Sequence, residues 1–303
     1  MPRFVTDMAA LPTIADWVRY LASRFNEAGL FFGHGTGNAV DEALALVLHV
    51  LHLDHDLPSW LLDAHLTDDE KAAIAELAAQ RIDTRKPLAY LTHSAGFAGL
   101  DFYVDERVLV PRSPIAELIE RQFEPWAEPD AIGRVLDIGT GSGCIAIACA
   151  HYLPDAQVDA VDISEDALAV ADENVARHHL NERVRLIRSN LLADVPPAHY
   201  DVIVTNPPYV DAAEMAELEP EFRHEPALGL AAGEDGLDCI ERILRDAPDY
   251  LAPNGILIGE VGASQPAFEA RFPDLPVTWL DFGRGGSGVF LIAAADLEES
   301  DVR

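Results

Sequence analysis

The chain has 303 residues, a length suited to about two domains, and 49% of them are apolar, which excludes a disordered polypeptide. Fifty-two Asp and Glu face 21 Lys and Arg, a net charge of −31, with Lys71 and Lys86 the only lysines. Such a surface repels phosphate backbones and suits a basic protein partner; a solvated acidic coat adapted to salt is the plainer alternative. Cys144, Cys149 and Cys239 form no Cys-x-x-Cys pair, which excludes a disulfide scaffold and a cysteine zinc site. The opening Met1–Asp7 has no apolar leader core, and the longest apolar run, 43–53, is broken by His49 and His52 and too short for a bilayer. These features predict a soluble cytoplasmic protein.

The first third reads as helices. Ile14, Trp17, Val18, Leu21 and Phe25 recur three or four apart, giving one apolar stripe over 13–28 that Gly29 stops. Residues 41–53 form a second, more apolar helix. Thr67-Asp68-Asp69-Glu70 is a capping box that opens a third helix through Ile74, Leu77 and Ile82, and Pro87 closes the bundle. Alternation over 97–110, with Leu100, Phe102 and Val104 on one face, predicts a hairpin turning at Asp105-Glu106. The expected division is a helical domain 1–86, a β-hairpin linker 87–112 and a larger α/β domain 113–303.

From Arg134 the pattern changes to apolar strands alternating with helices. Strands are predicted at 134–138, 158–163, 184–188, 201–205, 256–261, 277–282 and 289–293, and helices at 145–150, 167–178 and 237–251. This alternation predicts a doubly wound, mostly parallel seven-stranded sheet. The link between the last two strands is too short for a parallel crossover, so one strand must run antiparallel.

Asp137-Ile138-Gly139-Thr140-Gly141-Ser142-Gly143 lies where the first strand of that sheet turns into a helix. Its glycines permit a tight turn and a close ligand, and the helix start offers free N–H groups. Asp162 ends the next strand 21 residues after Gly141, a spacing suited to a carboxylate accepting ribose hydroxyls. Asp137 would repel a pyrophosphate but suits a cationic ligand, which favours S-adenosylmethionine over a dinucleotide. Farther on, Asn206-Pro207-Pro208-Tyr209 follows a strand at the edge where such sheets bind ligands. Two prolines stiffen the corner, the Asn206 side-chain oxygen and Pro207 carbonyl can together hold one NH₂ group, and Tyr209 offers a flat face. The same corner could hold an exocyclic amine of a nucleic-acid base, a reading that requires a basic groove.

With these motifs the chain resembles the S-adenosylmethionine-dependent glutamine N(5)-methyltransferases of release factors and a ribosomal protein. The likeness spans nearly the whole chain and implies a class I methyltransferase fold behind a small helical domain and hairpin. Ser23-Arg24-Phe25-Asn26, Gly33-His34-Gly35-Thr36, Val108–Ile115 and Arg223-His224-Glu225-Pro226 are similar to the branch acting on large-subunit ribosomal protein three. The release-factor branch carries an acidic residue soon after the Pro-Arg step, where this chain has Ser113-Pro114. The resemblance implies that Asn206, Pro207 and Tyr209 are catalytic and that Asp137, Gly139, Thr140, Gly141, Gly143 and Asp162 hold the cofactor. Asn190 stands where the family usually has an acidic residue near the adenine. Pro208, Phe102 and Arg112 are implied to flank the substrate amide. The expected partner is a basic ribosomal protein, with no nucleic acid, membrane or metal. His49, His52 and His55 fan around a helix and do not converge on an ion.

Overall fold

The computed structural model describes residues 10–300; Met1–Asp7, read above for a leader, lies outside them. The chain divides into two units, one of residues 1–94 with 219–224, the other of 95–218 with 225–303.

In the first unit, α1 (Ile14–Glu27) begins at the Thr13 capping box and buries Trp17, Leu21 and Phe25. The second helix, α2 (Ala39–Leu51), starts at Asn38, whose side chain accepts from Val40 and Asp41 N–H groups, and ends at His52 in the left-handed region. The Thr67 capping box opens α3 (Asp68–Thr84). Pro87 does not end the bundle. It stands before a further short helix, α4 (Leu88–Thr92), where a missing N–H costs nothing. Arg81 is fully buried. It bonds Glu42 Oε1 (2.7 Å) and Glu221 Oε1 (3.2 Å), while Arg85 and the Phe31 N–H also bond Glu221. The segment Glu219–His224 therefore belongs to this unit through a buried carboxylate.

The second unit opens with a hairpin, β1 (Ala95–Phe97) and β2 (Leu100–Phe102). It turns at Ala98-Gly99, with φ of 48° and 72°, a two-residue turn matched to strand twist. The predicted turn at Asp105-Glu106 is instead a separate bend, because Asp105 captures the Arg107 N–H and guanidinium and the Tyr103 hydroxyl. Helix α5 (Ile115–Glu120) then leads to the main sheet.

That sheet comprises β3 (Arg134–Ile138), β4 (Gln157–Asp162), β5 (Val184–Arg188), β6 (Tyr200–Thr205), β7 (Leu251–Glu260), β8 (Thr278–Trp279) and β9 (Val289–Ala293), in the spatial order β5-β4-β3-β6-β7-β9-β8. Only β9 opposes the direction of the rest. Successive residues of the strands enter opposite apolar clusters: Val135, Val204 and Ile258 on one face, Leu136, Ile203 and Leu257 on the other. Both faces are covered, which is why the strands read as continuous apolar runs. Helices α6 (Cys144–Tyr152), α7 (Glu165–Arg177), α8 (Ala212–Glu217), α9 (Asp238–Asp246), α10 (Gln265–Arg271) and α11 (Ala294–Glu298) complete the unit. The helix predicted to run to Leu251 stops at Asp246 and continues as a 3-10 turn through Pro248.

From β3 the chain winds outward through β4 and β5, then returns to lay β6 on the other side of β3. The carboxyl ends of β3 and β6 therefore diverge in opposite connections. In open sheets of this order the crevice that takes a ligand lies at this switch point.

Candidate active site

At the first wall of the crevice, Gly139, Gly141 and Gly143 have φ of 75°, 54° and 81°. Side chains at Gly139 and Gly141 would meet almost nothing, so their backbone faces open space. Gly143 differs: a Cβ there would stand 3.2 Å from the Ala171 methyl. Gly143 thus lets α6 pack closely on α7.

Asp137 is fully buried behind this loop. Its Oδ2 accepts from the Thr140 hydroxyl (2.6 Å) and the Ala146 N–H at the start of α6 (3.1 Å). Its Oδ1, equally buried, has no partner among the described residues. Burial pushes this carboxyl up to about 7, against the two hydrogen bonds that favour its ionised form. Thr140 thus spends its side chain on Asp137. At the end of β4, Asp162 Oδ2 accepts the Gly141 N–H and Oδ1 the Ser164 N–H, both at 2.9 Å. Burial raises this carboxyl as well. Asn190 is exposed, two residues past the end of β5, while its neighbour Ser189 donates its N–H to the Asp162 carbonyl. An unmatched buried carboxylate oxygen, an open glycine cradle and a second carboxylate at the next strand suit a ligand with a cationic end and hydroxyls.

The opposite wall is the tetrapeptide after β6. Ile138 and Thr205 are register partners, and the Thr205 hydroxyl donates to the Ile138 carbonyl at 2.8 Å. A Cβ on Gly139 would point to within 3.9 Å of the Asn206 carbonyl. The side chain of Asn206 is half-buried and, like the Pro207 carbonyl, takes no hydrogen bond from any described residue. Pro208 is half-buried beside them. Tyr209 is held at three points. Its hydroxyl donates to Glu260 Oε1 (3.0 Å), its carbonyl accepts the Ser264 hydroxyl (2.8 Å), and its ring lies against Gly262, where a Cβ would come within 2.5 Å. Burial, then the facing Glu260 carboxylate, raises the phenol well above its ordinary value.

Two implied substrate residues are used differently. Phe102 is fully buried, packed on Phe97 and His178. Arg112 forms a two-pronged pair with the buried Glu225, at 2.5 and 2.8 Å, and Glu225 also accepts the Val110 N–H. Glu260 carries no motif of its own. The one cue in the sequence is a carboxylate closing an apolar strand just before Gly262.

An open sheet with one reversed strand, a glycine loop backed by two carboxylates and a proline corner across the switch point together define a class I methyltransferase. Residues 123–224 match the family described as "Methyltransferase small domain". The "Ribosomal protein uL3 glutamine methyltransferase" of Xanthomonas campestris pv. campestris is 52% identical over 95% of this chain and 93% of its own length. The protein of the same name from Bradyrhizobium diazoefficiens is 50% identical over 95% and 92%. Among solved structures, a methyltransferase from Pyrococcus furiosus aligns with a TM-score of 0.47 at 21% identity, over 65% of this chain and 89% of its own. The chain belongs to the ribosomal protein uL3 glutamine methyltransferases.

Proposed function

We propose that Asn206 and the Pro207 carbonyl grip the side-chain amide of a glutamine in ribosomal protein uL3 while the enzyme methylates its nitrogen. The enzyme is an S-adenosylmethionine-dependent methyltransferase, and the bound cofactor supplies an electrophilic sulfonium methyl. Gly139 and Gly141 let the backbone approach that cofactor, Asp162 accepts from its ribose, Asp137 offers a negative charge to its cationic end, and Asn190 accepts from its adenine amino group. The observation that carries this reading is the pair of unused acceptors, Asn206 Oδ1 and the Pro207 carbonyl, beside the open glycine loop.

An amide nitrogen is a weak nucleophile because its lone pair is delocalised into the carbonyl. Two fixed acceptors, one for each N–H, twist and aim that lone pair and stabilise the positive charge that grows on nitrogen. Alignment is the main task, since the displacement is in line and the methylated nitrogen is acidic enough to lose its proton without a strong base. Tyr209 presents its partly exposed ring as a plate for the planar amide.

The direct experiment is incubation with labelled S-adenosylmethionine and separated ribosomal proteins, release factors and ribosomal RNA, followed by mass spectrometry of whatever takes label. Label on a uL3 glutamine is expected. Label confined to a base amine, or to a release factor, would overturn the substrate assignment. Asn206→Ala should abolish transfer by about 10²-fold or more while equilibrium binding of S-adenosylmethionine stays near wild type; persistent methylation would remove Asn206 from catalysis.

A further inference from the structure

The buried carboxylate of Glu260 has no part in the scheme above, yet it closes the strand next to the catalytic corner. β6 pairs with β7 in parallel, with Thr205 opposite Gly259, so Glu260 stands in register with the start of the tetrapeptide. It is 4% exposed, and both its oxygens are engaged: Oε1 by the Tyr209 hydroxyl at 3.0 Å, Oε2 by the Ser113 hydroxyl at 2.5 Å. Ser113 is itself fixed, since its oxygen accepts the Ile115 N–H at the start of α5. The strand end is braced from behind. The Val261 N–H donates to the Gly288 carbonyl at 2.7 Å, and Gly288 approaches Gly262 so closely that a Cβ there would fall 2.2 Å from the Gly262 oxygen. Two neighbouring loops therefore brace the strand end whose carboxylate holds the Tyr209 phenol.

We infer that Glu260 is a positioning residue for methyl transfer: it anchors the Tyr209 hydroxyl to the sheet and so fixes the direction in which Asn206 and Pro207 present their acceptors. The inference rests on the assignment of the tetrapeptide as the amide grip. Pro207 and Pro208 leave the corner little freedom of its own, so its orientation is set at its two ends. One end is the strand, through Thr205. The other is Tyr209, clamped at hydroxyl, carbonyl and ring. Without Glu260 the phenol loses its anchor, the corner turns about its strand end, and the acceptors leave the line of attack. An offset of about 1 Å in such a displacement costs on the order of 10²-fold in rate.

The test is steady-state kinetics of the full chain with uL3, alongside direct binding of S-adenosylmethionine. Glu260→Ala and Tyr209→Phe should each lower kcat by about 10- to 100-fold with cofactor affinity unchanged. The double variant should be no slower than the worse single one, because both changes remove the same bond. E260Q should recover most of the rate lost in Glu260→Ala, since a carboxamide oxygen still accepts the phenol proton. Multiplying losses in the double variant, an E260Q as slow as Glu260→Ala, or a wild-type kcat in Tyr209→Phe would each overturn the inference; the last needs no change at the buried site and so covers the case in which Glu260→Ala fails to fold. A wild-type enzyme that labels no glutamine would instead overturn the functional reading itself.

Discussion

Asp137 shows how burial can prepare a charge for one ligand. Its carboxyl is pushed up to about 7, so below neutral pH it holds a proton that a cationic ligand must displace. The affinity for S-adenosylmethionine should therefore rise as pH increases through about 7, and Asp137→Asn should flatten that rise; calorimetric titration between about pH 6 and 8 would reveal a flat wild-type profile if the idea is wrong. The effect on stability has the opposite sign. The folded carboxyl holds its proton more tightly than the unfolded one, so its contribution is complete below the ordinary carboxylate value and fades as pH rises through about 7. The same residue scale shows what a sequence can convey. Gly139, Gly141, Asp162 and Asn206 announce themselves because their partners lie in local patterns. Glu260 does not, because the side chains that give it meaning are 51 and 147 residues away. Phe102 gives no such signal either: an aromatic residue in an alternating strand looks the same whether its face meets a ligand or a core.

At the level of elements, the strands were legible to within a few residues because burial on both faces of a parallel sheet makes them continuous apolar runs. The hairpin turn was not, since its first residue is Ala98, a type that rarely takes a positive φ, while the more turn-like Asp105 closes a bend with its own side chain. Glycines carry separate duties along one loop. Gly143→Ala places a methyl against Ala171 at φ 81° and should destabilise the catalytic unit by about 1–2 kcal/mol in denaturant melts. Gly141→Ala carries the same left-handed strain at φ 54° but meets no neighbour, so it should lose less stability than Gly143→Ala and in addition weaken cofactor binding; a larger stability loss in Gly141→Ala, or unchanged cofactor affinity, would contradict this division of labour. In the helical unit, Glu221→Ala leaves Arg81 and Arg85 short of a buried partner. A loss of about 3–5 kcal/mol is expected in its unfolding free energy, and a change within error would mean that water reaches the network.

For the whole molecule, a net charge of −31 acts as a field rather than as a set of contacts. A basic ribosomal protein should be drawn to it, so kcat/KM should fall by about tenfold as salt rises from low to physiological strength, with kcat little altered. A salt-independent kcat/KM would favour the solvated coat. Among the described residues no helix is long and apolar enough to cross a membrane. We propose that the helical unit chooses the substrate and leaves the chemistry to the other unit, which a chimaera with a release-factor enzyme can decide: substrate preference should follow the transplanted helices.

How that chimaera is cut is dictated by Glu221. A graft of the first 94 residues alone would be missing a piece, because Glu219–His224, encoded far downstream, folds with the helices. The incoming arginines at the positions of Arg81 and Arg85 would find whatever side chain the host happened to carry there. Transplantation therefore calls for two inserts moved together, and for the recipient gene to be opened at three joints, not one.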